Sequence, residues 1–242
     1  KKTKKNFKNF ISNNSSILKD CNIYIVCVPT PVNKKKKSNL NFLKDVCLTI
    51  SKYINKNDII IFESTVYPGV TKKFCLPLLK KNNKNKMNFF IGYAPERLSP
   101  GGNKKIFDIS KIVAAEDKKI GIEIKKFYKN FIKKVYLVKS IEVAELAKNF
   151  ENCQRDSNIA LMNDLYMLCE KTNIDPYEVI SACKTKWNFG DYYPGLVGGH
   201  CISIDPYYLI EFGKKNNFEL KTLKISRHVN EKFISYIENK IT

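Results

Sequence analysis

Arginine is nearly missing from this basic chain. The 242 residues carry 43 Lys and Arg against 23 Asp and Glu, a formal charge of +20. Only Arg97, Arg155 and Arg227 are arginines. The Lys excess is scattered among Asn, Ile and Phe, as AT-rich codons would scatter it, and Lys34–Lys37 is a short loop run. A nucleic-acid module needs its basic side chains gathered on one face or stripe, so no nucleic-acid partner is expected. Long apolar runs are also missing. No stretch is long enough to cross a bilayer, and the Lys- and Asn-rich start lacks a signal-peptide pattern. No membrane partner and a cytoplasmic location are expected. Cysteine pairs of the CxxC type are absent too. The eight cysteines (positions 21, 27, 47, 75, 153, 169, 183 and 201) stand singly, several inside apolar runs. That spacing excludes a zinc centre, no metal is expected, and reduced thiols fit best.

What is present is globular. The hydrophobic fraction is 43% and the aromatic fraction 12%, and the length suffices for one large domain or two smaller ones. The most distinctive stretch is Pro194-Gly195-Leu196-Val197-Gly198-Gly199-His200-Cys201-Ile202-Ser203-Ile204-Asp205-Pro206. Its glycines let a ligand lie against the main chain. Asp205-Pro206 reads as an N-cap and a first helical position. Cys201 is then on a loop ahead of a helix N-terminus, where the dipole favours the nucleophilic thiolate. Read alone, the same stretch is a glycine-rich turn with a buried free thiol.

Upstream, strand-like and helix-like segments alternate. Asn22–Val28, Asp58–Phe62, Asn88–Gly92, Lys111–Ala115 and Val135–Val138 read as strands. Leu40–Ile54, a segment through Leu79 and Asp117–Phe131 read as helices. This alternation predicts an α/β fold with a mostly parallel, doubly wound sheet. Ligands in such sheets bind beyond the strands' carboxyl ends. Pro29-Thr30-Pro31, Ser64-Thr65 and Pro95-Glu96-Arg97 would fall there together. From Ile141 to Thr172 no Pro or Gly interrupts helical spacing, which predicts one long linking helix. Lys148 and Asn152 share a face of it, with Asp156 one turn on. A helix begins at Asp175-Pro176, and residues 206–240 read as helical, with Arg227 in the last helix. Two domains are expected, 1–139 and an all-helical 140–242.

These motifs together resemble the UDP-glucose/UDP-N-acetylhexosamine 6-dehydrogenase family. The match rests on Val28-Pro29-Thr30-Pro31, Glu63-Ser64-Thr65-Val66-Tyr67-Pro68-Gly69 and Ala94-Pro95-Glu96-Arg97 with Pro100-Gly101. It extends through Glu145-Leu146-Ala147-Lys148 to Asn152 and through Gly198-Gly199-His200-Cys201. The stretches Glu151–Asp156, Asn158–Asn163 and Lys186-Trp187-Asn188-Phe189 resemble the UDP-N-acetylglucosamine branch of Vi-type and capsular polysaccharide synthesis. Pro100 stands where UDP-glucose enzymes carry a second carboxylate.

The resemblance implies an oxidoreductase with NAD as cofactor. Its reaction is the four-electron oxidation of a sugar CH2OH to a carboxylate through a cysteine thiohemiacetal and thioester. It implies Cys201 as nucleophile, Lys148 and Asn152 as oxyanion donors, and Asp205 as organiser of the Lys148 neighbourhood. Glu96 would manage protons and the hydrolytic water, and Thr65 would lie beside the nicotinamide. Val28, Pro29, Thr30 and Ser64, with Thr65, would line NAD. Tyr192, Tyr193, Pro194, Gly195, Leu196, Val197 and Gly198 would wrap the UDP-sugar, with Arg97 and Arg227 also on substrate. A homodimer built on the long helix is implied, through Ile159, Leu161, Met162, Leu165 and Leu168.

The family's GxGxxG phosphate loop is absent from the sequence. So is the segment expected for a C-terminal UDP-binding domain. The resemblance therefore implies the middle of a longer protein, and a non-catalytic remnant that only folds and dimerises stays open beside the enzyme. Gluco and manno substrates are not separated.

Overall fold

The computed structural model describes residues 11–33, 36–98, 105–199 and 201–241. Two compact units share them. The first runs up to Thr30 and includes Leu40–Ser64 and Pro68–Glu145. The second takes Pro31–Asn39, Thr65–Tyr67 and the chain from Leu146 onward.

The first unit holds one five-stranded sheet, ordered β1 (Ile23–Val26), β2 (Asp58–Phe62), β3 (Phe89–Tyr93), β4 (Lys111–Ala115) and β5 (Val135–Leu137). Helix α1 (Asn41–Ile50) joins β1 to β2, α2 (Leu76–Asn82) joins β2 to β3, and α3 (Lys118–Lys129) joins β4 to β5. Each of these crossovers returns the chain for parallel pairing, with Ile23 opposite Ile59, Ile59 opposite Phe90 and Lys111 opposite Val135. Between β3 and β4 the described residues contain only a three-residue turn, Ile106–Asp108. With no crossover helix there, β4 runs antiparallel to β3, with Tyr93 opposite Ala114. The sheet is thus mostly parallel, with one reversal that alternation in the sequence does not reveal.

Burial follows strand position. In the interior strand β2, Asp58, Ile60, Ile61 and Phe62 are buried, whereas edge strand β1 alternates exposed Ile23 and Ile25 with buried Tyr24 and Val26. The core joins Ile61, Ala94, Val113, Ile124, Tyr128 and Val135. Fully burying one such aliphatic side chain contributes about 1.5–3 kcal/mol. Gly92 on β3 permits this packing: a Cβ there would lie 2.3 Å from Ile124 Cδ1 and 3.0 Å from the Ala114 carbonyl. Asp117 caps α3, accepting from the backbone N–H of Lys119 at 2.7 Å and of Ile120 at 3.2 Å.

Helix α4 (Ile141–Thr172) is the single 32-residue helix that the spacing predicts. Its first turn belongs to the sheet unit and the rest to the second, helical unit. There follow α5 (Pro176–Lys184), α6 (Asp205–Lys215) and α7 (Lys221–Ile241). One expectation is corrected. Asp205 is not an N-cap: Ile204 holds that position, Asp205 opens the helix itself, and its carboxylate turns to α4 instead. Within the helical run 206–240, a turn at Gly213–Asn217 ends α6. Asn217 takes a left-handed φ of 55° and the Phe218 N–H donates to the Gly213 carbonyl at 2.9 Å. Cys153, Leu209 and Leu223 pack the helices together, flanked by Ile210 and Leu220.

Candidate functional site

In the sheet unit, the register puts the carboxyl ends of β1, β2 and β3 on one edge. Val28, Pro29 and Thr30 follow β1, Ser64 follows β2, and Glu96 and Arg97 follow β3. Pro29 is exposed, and Val28 and Thr30 are partly so. Ser64 is buried, and its hydroxyl donates to the Val28 carbonyl at 2.7 Å, so it shapes the edge from beneath. The Tyr93 hydroxyl donates to the Ser64 carbonyl at 3.2 Å. An edge of parallel strand ends is where open α/β sheets bind their ligands.

The reversal of β4 delivers Lys111 to this same edge. Its side chain is 6% exposed, with Nζ 3.0 Å from Glu63 Oε1 and 3.4 Å from Glu96 Oε2. The Tyr128 hydroxyl donates to Glu63, and the Lys111 ammonium lies 4.8 Å from the Tyr128 ring centre. Burial, reinforced by Glu63, raises the Tyr128 hydroxyl pKa and pushes the nearby Cys27 thiol up to about 11. Glu96 folds back on its own loop, accepting the N–H groups of Arg97 and Leu98 at 2.7 Å each. Arg97 donates to the Ser110 carbonyl at 2.9 Å. Neither Lys111 nor Tyr128 is singled out by the sequence. The available signal was a lysine opening an otherwise apolar strand, KIVAA.

In the helical unit, Lys148, Asn152 and Asp156 do share one face of α4, and that face points inward: all three are buried. Asn152 Nδ2 donates to Asp205 Oδ2 at 2.6 Å. Burial pushes the Asp205 carboxyl up to about 6, against the pull of the Asn152 hydrogen bond and the Lys148 charge. Cys201 opens the turn that leads into α6. Its carbonyl accepts the Ile204 N–H at 3.1 Å and the Asp205 N–H at 2.9 Å, and the residue is exposed. One helical turn therefore separates an open cysteine from a buried Asn–Asp–Lys group. His200 and residues 99–104, including Pro100 and Gly101, lie outside the described residues.

The glycine loop, residues 191–198, has no regular structure. Val197 is buried, Leu196 and Tyr193 are exposed, and Tyr192, Pro194 and Gly195 are partly covered. Lys184 holds Asp191 at 2.7 Å and donates to the Tyr193 hydroxyl at 2.7 Å. Arg227 is buried between α7 and α4, its guanidinium 2.6 Å from Asp156 Oδ1. Asn230 and Asn163 extend that group: Asn230 Nδ2 donates to Asp156 Oδ1 at 2.7 Å, and Asn163 Nδ2 to Asn230 Oδ1 at 2.9 Å. The sequence gives Asn163 and Asn230 no role, although Asn163 ends a stretch that carries the resemblance and lies seven residues beyond Asp156 on the same helix face. Thr65, partly exposed, groups with the helical unit, and Glu96 with the sheet unit.

The sheet unit thus offers an edge of parallel strand ends, and the helical unit an exposed cysteine one turn ahead of a buried Asn–Asp contact. Comparison with known proteins gives the family. The chain belongs to the UDP-glucose/GDP-mannose dehydrogenase family: the family's NAD binding domain matches residues 1–132 and its central domain residues 142–232. It is 40% identical over 228 residues to a UDP-N-acetyl-D-glucosamine 6-dehydrogenase of Salmonella typhi, covering 93% of this chain and 54% of that protein. It is 39% identical over 234 residues to Protein CapL of Staphylococcus aureus, covering 95% and 55%. Among solved structures, a UDP-D-ManNAc dehydrogenase from Pyrococcus horikoshii superposes with a TM-score of 0.85 at 30% identity, over 94% of this chain and 54% of that one. The chain thus spans about half the length of the curated relatives it matches.

Proposed function

We propose that this chain carries the chemical centre of an NAD-dependent oxidation of a UDP-N-acetylhexosamine, taking the C6 hydroxymethyl to the uronate for surface polysaccharide synthesis. The observation that carries this reading is the buried Asn152–Asp205 contact, with Lys148 beside it and Cys201 one turn away.

NAD, when bound along Val28, Pro29, Thr30, Ser64 and Thr65, accepts the hydride in each of the two oxidations. The chain's own residues do the rest. The Cys201 thiolate adds to C6 of the aldehyde, forming a carbon–sulfur bond and an oxyanion. Lys148 and Asn152 are donors for that charge, and such donors act where charge develops. Asp205 keeps the Asn152 amide aimed and balances Lys148. After the second oxidation the thioester is cleaved by water, returning the thiol and releasing the carboxylate. The backbone of residues 192–198 lies along the UDP-sugar.

Assembly and location follow the same reading. Val143, Leu146 and Phe150 form an exposed apolar stripe on α4, and Leu161 and Leu168 lie exposed farther along it. Such a surface on one long helix supports a homodimer. All eight cysteines are free thiols, which supports a reducing, cytoplasmic setting.

The test is NADH formation with UDP-N-acetylglucosamine and UDP-N-acetylmannosamine. It is run on this chain and on a chimera in which the chain replaces the matching part of the Salmonella typhi relative. Turnover lost in Cys201→Ser, and lowered about a hundredfold in Lys148→Ala with little change in substrate binding, is expected. A Cys201→Ser variant that forms the acid at the parent rate overturns the reading. A chimera that folds without turnover favours the non-catalytic remnant.

A further inference from the structure

We infer that Asn163 is a positioning residue for the loop that presents Cys201. This deepens the proposed function and rests on it. The main chain of residues 191–198 has no strand or helix to hold it. At Gly195, however, one side chain satisfies both backbone groups. The Gly195 N–H donates to Asn163 Oδ1 at 2.8 Å, and Asn163 Nδ2 donates to the Gly195 carbonyl at 3.1 Å. A carboxamide paired in this way copies one rung of a strand ladder. Among the described residues, Asn163 is the side chain that bonds both groups of one residue in this loop.

Asn163 is itself held rigidly. It is fully buried, and its amide also donates to Asn230 Oδ1 at 2.9 Å. Asn230 in turn donates to the Asp156 carboxylate and carbonyl, at 2.7 and 2.9 Å, and Arg227 pairs with that carboxylate at 2.6 Å. The loop is therefore tied through one amide to a connected polar network between α4 and α7. Its other side is open: a Cβ built on Gly195, Gly198 or Gly199 meets nothing within 4 Å. A loop fixed from behind and open in front is preorganised for a ligand along its main chain. Val197 supplies the apolar anchor two residues on. Downstream, Ser203 donates to the Gly199 carbonyl at 2.5 Å and ties the loop to the turn bearing Cys201.

The variant Asn163→Asp offers a control that mere packing cannot mimic. A protonated carboxyl has one acceptor and one donor, so it reproduces the Gly195 pair. Ionised, it faces the Gly195 carbonyl and Asn230 Oδ1 with acceptors only. Asp156 beyond Asn230 opposes ionisation and Arg227 favours it, while burial keeps the proton on to higher pH.

The experiment uses the whole chain. Amide hydrogen exchange of residues 191–199 and the rate of Cys201 alkylation by iodoacetamide are each expressed as a ratio to the parent at the same pH. Asn163→Ala should speed loop exchange about tenfold, as expected for losing a pair of neutral hydrogen bonds. Helices α6 and α7 should keep parental exchange, and the alkylation ratio should depart from one. Asn163→Asp should match the parent at low pH and Asn163→Ala at high pH. Leu209→Ala, a core truncation in the same unit, should loosen α6 and α7 without a loop-specific change. Parental loop exchange in Asn163→Ala overturns the inference. So does loosening of loop and helices together, or an alkylation ratio of one in every variant. Neither measurement needs turnover, so an inactive chain with a loosened loop would defeat the proposed reaction and leave this role standing.

Discussion

Asn152 and Asp205, fifty-three positions apart, meet in the buried interior of the helical unit with 2.6 Å between amide nitrogen and carboxylate oxygen. The contact fastens the start of α6 to α4, and with it the turn that carries Cys201. It also holds an acid where ionisation is disfavoured. Burial raises the folded-state pKa of Asp205 to about 6 from an ordinary 3.8. A group raised in this way stabilises the fold below its unfolded pKa, and that contribution fades as pH rises through the folded value. The window is about pH 4 to 6. Between those limits the parent should lose roughly 3 kcal/mol of stability on this account, from about 1.4 kcal/mol per pKa unit. Asp205→Asn cannot ionise and should show a flatter stability curve there. Urea denaturation at half-unit pH steps measures both curves, and identical slopes would refute the assignment.

Removing the other partner has a different signature. Asn152→Ala leaves the Asp205 carboxylate buried without this donor. An unsatisfied buried acceptor costs about 1–3 kcal/mol, more when charged. The loss should be largest at pH 8, where Asp205 is ionised, and smaller at pH 4.5, where it is protonated. A pH-independent loss would mean that the amide acts only by filling space.

Arg227 and Asp156 form a buried ion pair, 6% and 0% exposed at their side chains. Breaking one side of such a pair costs about 3–5 kcal/mol, because a charge is left buried without its partner. Arg227→Met should therefore unfold at markedly lower denaturant concentration. Replacing both members, as Arg227→Met with Asp156→Leu, should recover much of that loss, since an apolar pair of similar volume avoids the desolvation penalty. Equal instability of the single and double variants would show that the remaining partner, Asn230, needs the Asp156 carboxylate more than Arg227 does.

Much of this was legible in the sequence. The short apolar runs located the five described strands, because hydrophobic burial dictates both pattern and position. The uninterrupted spacing from Ile141 to Thr172 gave α4 to the residue. Lys148 and Asn152 were legible as one helix face, but not which way that face turned. In isolation such a polar pair faces water, and only the packing of α6 against α4 buries it. The antiparallel turn of β4 was hidden because local pattern does not report strand direction; among the described residues, the connection after β3 carries no crossover helix. Lys111, Asn163 and Asn230 were hidden for a related reason. Their partners lie 15 to 74 residues away in sequence, so no local spacing announces them. Asp205 was misread as a cap because Asp-Pro is a common helix opening, and the tertiary partner Asn152 outcompeted the backbone.

The last prediction concerns the sheet, where Gly92 is the point of closest approach between β3 and its neighbours. A Cβ at that position would fall 2.3 Å from Ile124 Cδ1 on α3, well inside contact distance. It would also meet the Ala114 carbonyl on β4 at 3.0 Å, and that backbone oxygen has no rotamer to escape into. Gly92→Ala should therefore overpack the core that Ile124 shares with Ile61, Val113 and Tyr128, at a cost of about 1–3 kcal/mol. The clash with α3 comes from a single methyl group. Ile124→Val deletes that methyl, and alone should cost about 0.5–1.5 kcal/mol for the space it leaves. Combined with Gly92→Ala it should cost less than the two single changes added together, because the new Cβ occupies the vacated space. The residual penalty should come from the Ala114 carbonyl, which neither change moves. Denaturant midpoints of parent, both single variants and the double variant complete the cycle. Strict additivity would mean that the sheet and α3 shift apart to admit the new atom, and that Gly92 is not what sets their spacing.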